Sequence, residues 1–477
     1  MNKSVVNFLK SKNVNVIEED ILTKLEVWEQ WYKGKVDKFH DYKLYQGKKK
    51  LKQERKTLNM PLRVCQKWAD LLLNEKVEIN IEDEYTNKVV QKLLKQVNFF
   101  VRGNKLIERA FALGKGFFIQ YWDGKKTNQK YISQEFFYPI SFENGKIIEC
   151  GFSSEKVIDN KKYIYLETHT LNDKDEYVID NFLLSMHDKE LVEVDAQFYM
   201  DHNIEQKIET KRKEPLFQAI EPNIANRDNF DSPFGTSVFS GAIDIFKSTD
   251  VIYDGYFKEF LLGKKRIFVP DGVSNLNYIQ DQTSGETKAV EVFDPNDEVF
   301  YRLPEFEDGK NPIIESNMDL RISAYNEGLQ TQLNLISQQC GFGDSGFTWD
   351  KGNVTTATQV VSENSDMYRT LKKHELVLES AVVDMVKGLL YIESTFNKDS
   401  KIKLDEPITV DFDDSIIEDK AEIKRQALLE LNVGLIDPIQ YYIDVYKMTE
   451  EQAVKYRETI LSRAELPDDE EENPQGA

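Results

Sequence analysis

The stretch LQTQLNLISQQC-GFGDSG-FTWDKGN, Leu329 to Asn353, decides how the chain is read. Its centre, Gly341 to Gly346, matches the phosphate-loop pattern G-x-G-x-x-G. A dinucleotide fingerprint needs a strand before the glycines and a helix directly after them, because the pyrophosphate sits on that helix's N-terminus. Here Leu329, Leu333 and Ile336 recur at helical spacing before the glycines, and FTWDKGN after them is no helix start. No Lys-Ser or Lys-Thr pair follows Gly346, which removes a P-loop as well. The segment reads as a loop between two long helices, with glycine supplying flexibility and access to positive φ.

On either side the pattern is helical. A helix is expected from about Met318 to Cys340, with Ser316 and Asp319 at capping-box spacing, and another from about Thr355 to Phe396. Upstream, Phe239, Ala242, Ile243, Phe246, Tyr253, Tyr256, Phe257 and Phe260 recur at three- and four-residue steps in a helix starting near Thr236. About 27 residues at ~1.5 Å each make a rod of roughly 40 Å. Between these rods, residues 264–315 break into short strands (KRIFVP, AVEVF, EVFYRLP). The N-terminal part gives helices at about 18–33, 60–75 (Pro61 near its start) and 85–114. From about 115 to 215 aromatic, β-branched runs separated by Gly, Asn and Asp read as antiparallel hairpins. ITVDFDD alternates, with Ile408, Val410 and Phe412 on one face. Ser415 and Glu418 cap a helix, two more helices follow, and the acidic tail PDDEEENPQGA reads as disordered. The class is α+β.

Composition removes several functions. The 477 residues suffice for more than one domain, and the net charge is −21. That is the wrong sign for gripping nucleic acid over the whole surface. It leaves room for a local basic patch, or for a passage through which DNA slides without sticking. Cys65, Cys150 and Cys340 show no C-x-x-C spacing, and the five histidines show no metal-ligand spacing. A disulfide framework or zinc site is not expected. The N-terminus lacks a signal peptide's apolar core, and no apolar run approaches the ~20 residues of a membrane span; a soluble chain made in a reducing cytoplasm is expected.

The remaining candidates have plain structural readings. Asp411, Asp413, Asp414, Glu418 and Asp419 form an acidic cluster, but an EF-hand loop starting at Asp411 requires glycine where Ile416 stands. A solvated strand edge before an acid-rich helix start explains it more simply. Asp244, Asp250 and Asp254 read as a polar helix face or an inter-subunit contact. Trp28, Trp31 and Trp68 read as core anchors rather than a ligand box. No Ser/His/Asp or Cys/His arrangement can be located by spacing, and no cofactor is expected. Long helices flanking a β module would expose much surface in a monomer, and packing side by side in a closed ring would bury it.

Four blocks carry a resemblance. WEQWYKGKVDKFHDY with TLNMPLRVCQKWADLLLNE (Trp28 to Glu75), NRDNFDSPFGTSVFSGAIDIFKSTDVIYD (Asn226 to Asp254), NVTTATQVVSENSDMYRTLKKHE (Asn353 to Glu375) and VDFDDSIIEDKAEIKRQALLELNVGLID (Val410 to Asp437) resemble, in order and spacing, portal proteins of long-tailed bacteriophages of Gram-positive bacteria. The region 115–215 carries little that is family-specific.

The resemblance implies a portal fold. The wing would be 1–235, joined by the long helix and strand of 355–415. Stem helices would be 236–263 and 316–340, the β-containing clip 264–315, the tunnel loop 341–354, the helical crown 416–465 and the acidic tail 466–477. It implies a ring of about twelve copies at one capsid vertex. Double-stranded DNA would be packaged and ejected through the ring without sequence readout. Implied partners are the terminase, the major capsid and scaffolding proteins, and a head-completion adaptor. The site would be the virion, after assembly in the host cytoplasm, with no membrane and no enzymatic activity of its own.

Within that frame Gly341, Gly343, Gly346 and Gly352 would let the tunnel loop shift as DNA passes. Phe342, Phe347 and Trp349 would pack loop against loop in neighbouring subunits, and Lys351 would touch phosphates. Lys258, Lys264, Lys265 and Arg266 would contact DNA or form inter-subunit ion pairs. Phe246, Tyr253, Phe257, Leu329, Leu333 and Ile336 would pack the stem. Two rival readings are a minor virion protein without a channel, and an enzyme using the glycine loop or the acidic cluster.

Overall fold

The computed structural model describes residues 2–17, 21–46, 49–187, 190–264, 266–270, 277–280, 287–290, 300–303, 314–316, 319–344, 346–349, 357–399, 401–412, 420–446, 448 and 450–464. Its helices are α1 (Lys3–Ser11), α2 (Ile21–Tyr32), α3 (Met60–Leu72), α4 (Glu84–Gln96), α5 (Phe99–Leu113), α6 (Ala196–Asp201), α7 (Ile243–Leu262), α8 (Ile322–Gln339), α9 (Ala357–Phe396), α10 (Lys420–Val433), α11 (Pro438–Tyr446) and α12 (Glu450–Ala464). The chain is α+β, as its periodicities require.

Its main core gathers α2 to α5, the start of α7, the end of α8 and much of α9. Trp28, Trp31 and Trp68 are buried there, the role their spacing gives them. The expected single helix at 85–114 is two helices. Asn98 adopts φ 54° between them, a left-handed conformation that asparagine tolerates, and the chain turns there so that α4 and α5 both present their apolar stripes to the core.

The hairpin region forms two sheets. Strands Phe137–Glu143, Lys146–Ile158, Lys161–Leu171, Tyr177–His187 and Glu190–Glu193 pair in sequence order, all antiparallel. Val5, Val6, Phe8 and Leu9 of α1 cluster with Tyr138, Leu166 and Leu184 of this sheet. Strand Gly116–Trp122 lies between Phe217–Ile220 and Thr127–Ser133 in the other sheet. Ile408–Asp411, far along the chain, pairs with Glu78–Ile81. Val410 is buried and Thr409 and Asp411 are exposed, the alternation read from the sequence.

The long helices begin later than their apolar pattern suggests. α7 starts at Ile243 rather than near Thr236, because the preceding residues are still turning against α5. Val238 N–H and Ser237 Oγ both donate to Phe111 O, and Phe239 and Ala242 are buried. α8 starts at Ile322, without the expected capping box. Ser316 instead ends strand Ile314–Ser316, opposite Arg266. Arg321 precedes α8, and its backbone N–H, Nε and Nη2 all reach Glu259 of α7, at 3.2, 3.0 and 2.7 Å. An ion pair between the two helices sets the start. Between α7 and α8, strand Arg266–Pro270 lies between Phe300–Leu303, parallel to it, and Ile314–Ser316, antiparallel.

Two histidines are buried at a cost. His169 has no hydrogen-bond partner on either ring nitrogen and lies edge-on to Phe152 and Phe217. His374 on α9 accepts from Asn223 N–H through Nδ1 and lies edge-on to Trp68 and Phe111. Burial lowers their pKa values to about 4 and about 3. Between those values and the ordinary histidine value of 6.5, the unfolded chain binds more protons than the folded one. Stability is therefore fully present above pH 6.5 and falls as pH drops towards 4. Thermal unfolding followed by circular dichroism should show this decline, and His169→Phe should flatten it. A midpoint independent of pH from 7 to 4.5 would contradict the assignment. Phe246, 1% exposed, packs against Trp31 and Phe239. Phe246→Asp should leave no soluble folded protein, since a buried unpaired carboxylate costs several kcal/mol, about 4 or more; a soluble, native-like variant would refute the burial.

Candidate functional site

The glycine loop leaves α8 at Cys340 and folds back on its own chain. Gly341 takes φ +85°, and a Cβ there would meet Thr370 Cγ2 of α9 at 2.7 Å. Phe342 then enters the core at 2% exposure and stacks on Trp68 of α3, with centroids 4.4 Å apart and planes 20° apart. The Trp68 indole N–H donates to Cys340 O, 3.1 Å. Lys67, beside it, donates to Gly346 O and lies 4.9 and 5.0 Å from the centroids of Phe342 and Phe347. Burial lowers its pKa.

α8 holds the rest. Ser337 O accepts from Phe342 N–H, and Ser337 Oγ from Phe347 N–H at 3.1 Å. Gln330 Oε1 accepts from Trp349 N–H, and Asn326 Oδ1 from the Trp349 indole at 2.8 and 3.0 Å. Trp349 also meets the rings of Tyr253 and Tyr256 on α7. This corrects one expectation. Phe342 is buried within its own chain and offers no surface to a neighbouring loop, while Phe347 and Trp349 are half-buried. Lys351 and Gly352 lie outside the described residues.

The acidic positions on α7 divide. Asp244 is exposed and paired with Lys247. Asp250 and Asp254 are buried, at 4% and 5%, and are neither a solvated face nor open to another subunit. Asp250 accepts from His40 Nε2 (3.0 Å), Thr57 Oγ1 (2.9 Å) and Leu58 N–H (2.9 Å). His40 Nδ1 accepts from Val36 N–H at 2.7 Å, so the ring hydrogen sits on Nε2 and points at the carboxylate. Asp254 accepts from Lys56 N–H at 3.1 Å and from the Lys258 ammonium, which also reaches Tyr42 OH. Lys258, expected as a DNA or inter-subunit contact, is thus engaged inside the chain. Its pKa is raised: burial opposes the charge, but Asp254 and Tyr42 outweigh it.

Lys264 is exposed and Arg266 opens strand Arg266–Pro270, while Lys265 is outside the described residues. Leu329, Leu333 and Ile336 are buried in α8. Tyr253 is half-buried, and Phe257 is 46% exposed with Lys56 Nζ 5.7 Å from its ring centroid, so the α7 stripe is not wholly buried within one chain. Asp411 is exposed, and Asp413, Asp414, Ser415, Glu418, Asp419 and the tail 466–477 lie outside the described residues. Among the described residues, no group of three His, Cys, Asp or Glu could hold a metal, and no helix is long and apolar enough to cross a membrane. Sequence reasoning missed Lys67, Ser337, Gln330 and Asn326 as loop anchors. Their polar placement on otherwise apolar helix faces was the available signal.

A long helix pair, a loop docked at its end, a buried carboxylate and an ion pair between helices tie distant elements of this α+β chain together. The family model described as phage portal protein, SPP1 Gp6-like, matches residues 11–470, and the chain belongs to that family. It is a portal or connector protein of the phage particle, in a family that is structural rather than enzymatic. No curated protein matches it. Among solved structures it is similar to a chain described as the neck of a native GTA particle computed with C12 symmetry. The identity is 11%, the TM-score 0.43, and the match covers 80% of this chain and 88% of that one.

Gly346 tests the docked loop. A Cβ there would meet Phe342 Cβ at 2.4 Å, so Gly346→Ala should displace Phe342 from Trp68. Hydrogen exchange at the Phe342 and Phe347 amides should accelerate by at least about tenfold, for a loss of roughly 1–2 kcal/mol in local stability, with the unfolding of the main core little changed. Unaltered exchange would show that the loop does not depend on this contact.

Proposed function

We propose that this chain is the repeating subunit of a ring of about twelve copies at one capsid vertex of a long-tailed phage with a Gram-positive host. Double-stranded DNA enters the capsid through it during packaging and leaves during ejection. The observation that carries this reading is the family match over residues 11–470. In this reading residues 1–235 and 355–415 form the wing, 236–263 and 316–340 the stem, 264–315 the clip and 416–465 the crown. The clip meets the terminase and later a head-completion adaptor. Capsid and scaffolding proteins surround the wing, and the ring assembles in the host cytoplasm before becoming part of the virion.

The chemistry suits a conduit. Sequence-specific contacts would stall a genome in which every segment must pass, whereas backbone contacts carry no sequence information. A subunit of net charge −21 repels phosphate and limits adhesion. In this reading the tunnel loop 341–354 meets the passing DNA with Lys351 as its cation, and its base is tied to Trp68 and Lys67.

Electron microscopy of the purified protein with native mass spectrometry tests the reading. Closed rings with a central hole are expected. Monomers persisting at high concentration with scaffolding protein added would favour a minor virion component without a channel. In rings that form, Gly343 and Gly346 variants should assemble but package DNA poorly, and normal packaging would remove the loop from the mechanism.

A further inference from the structure

Strands Asp41–Gln46 and Lys49–Glu54 form a two-stranded antiparallel ribbon. Lys43 lies directly opposite Lys52 in its register, and Lys50 shares their face because side chains alternate along a strand. All three are exposed, and among the described residues none has an ion-pair partner. Tyr42, on the other face, is tied to α7 through Lys258, while Lys56 N–H and Leu58 N–H bind Asp254 and Asp250. The ribbon is therefore held against α7 with its lysines turned outward.

The Lys43–Lys52 pair is unfavourable in an isolated chain, with Asp41 and Glu54 opposite each other at one end of the same face. Like charges directly opposite destabilise a strand pair, and a lone two-stranded ribbon is marginal in water. An anionic partner reverses the sign of the first term. The surface beside the ribbon says which kind. Phe257, Phe260 and Leu261 of α7 are 46%, 43% and 50% exposed, and Leu51 of the ribbon 41%. Lys56 Nζ, at the ribbon's base, lies 5.7 Å from the Phe257 ring centroid. Apolar residues next to a charged rim are the make-up of a protein interface, whereas a duplex backbone offers phosphates and nothing for the aromatics.

We infer that the Lys43–Lys50–Lys52 face and the adjacent Phe257–Phe260–Leu261 patch form a clasp that seats on an acidic surface of the next copy of this chain. Each copy carries −21, so acidic surface is abundant on the neighbour. The contact is heterologous, two different faces of identical subunits, as ring closure requires. It rests on the proposed ring and supplies the local attraction that ring lacks in its net charge.

The test compares the full-length chain with the triple variants Lys43→Glu/Lys50→Glu/Lys52→Glu and Lys43→Gln/Lys50→Gln/Lys52→Gln. Ring dissociation is followed by native mass spectrometry, and binding of a random-sequence duplex by anisotropy. The Gln triple should raise the concentration at which rings dissociate by roughly tenfold, as three rim ion pairs imply. The Glu triple should remain monomeric, with a monomer melting point like that of the parent. Should the Glu triple fail to fold, the Gln triple decides. Rings of unchanged stability in the Gln variant overturn the clasp, and so do intact rings that lose duplex affinity, which would make the ribbon a DNA contact. If the unsubstituted chain forms no rings, the ring reading falls first and the clasp with it.

Discussion

A carboxylate buried in helix α7 constrains much of this molecule. Asp250 is 4% exposed and takes hydrogen bonds from a histidine ring, a threonine hydroxyl and a backbone amide. An ionised carboxylate removed from water is costly unless its lone pairs are filled, and charge-assisted hydrogen bonds are the strong ones. All three donors come from residues 40–58, so they fix where that segment lies on α7. One turn further, Asp254 repeats the arrangement with Lys56 and Lys258. At the end of the helix Glu259 holds Arg321 and sets the start of α8. Three acids at near-helical spacing thus place an N-terminal segment and the second long helix about the first. Apolar contacts alone would let these elements slide, because burial free energy is non-directional.

The same logic governs the loop that ends α8. Phe342 inserts against Trp68, and the indole hydrogen bond to Cys340 O fixes where α8 stops relative to α3. Aromatic pairs of this kind add about 0.5–1.5 kcal/mol beyond the area they bury. That is enough to fix a preferred position and too little to fix it permanently. The loop therefore has a base that is tied to the core through one stacked pair and the Lys67 bridge.

How much of this was legible in the sequence depended on whether a signal was local. Helices α2, α3 and α9, the strand Ile408–Asp411 and the core tryptophans followed from periodicity, because each buries one stripe or face. That the glycine loop follows a helix and not a strand was legible too, since the spacing of Leu329, Leu333 and Ile336 is a sequence-local fact. The break at Asn98 escaped notice because apolar spacing runs on through it. The late start of α8 was hidden because its partner, Glu259, stands 62 residues away. Asp250 and Asp254 looked like a solvated face for the same reason. Spacing places a carboxylate on a helix, but only the fold reveals that three donors from residues 40–58 arrive there. Phe342 was assigned to a neighbouring loop because nothing local pairs it with Trp68.

A subunit of charge −21 has a difficulty that its fold must answer. Around a ring of identical copies, repulsion grows with the square of that charge, softened only beyond a Debye length of about 8 Å at physiological salt. Within the chain the answer is visible. Cations are placed singly against acids where elements meet: Arg109 between Glu29 and Glu135, Lys130 on Glu167, Arg321 on Glu259. Contacts between copies face the same electrostatics at the same short range, where screening is weakest. A proposed ring that keeps DNA from adhering by being acidic must therefore hold itself together through a few cationic or apolar faces set close to a neighbour. Attraction confined to the subunit boundary and repulsion spread over the whole surface are compatible because they act at different distances.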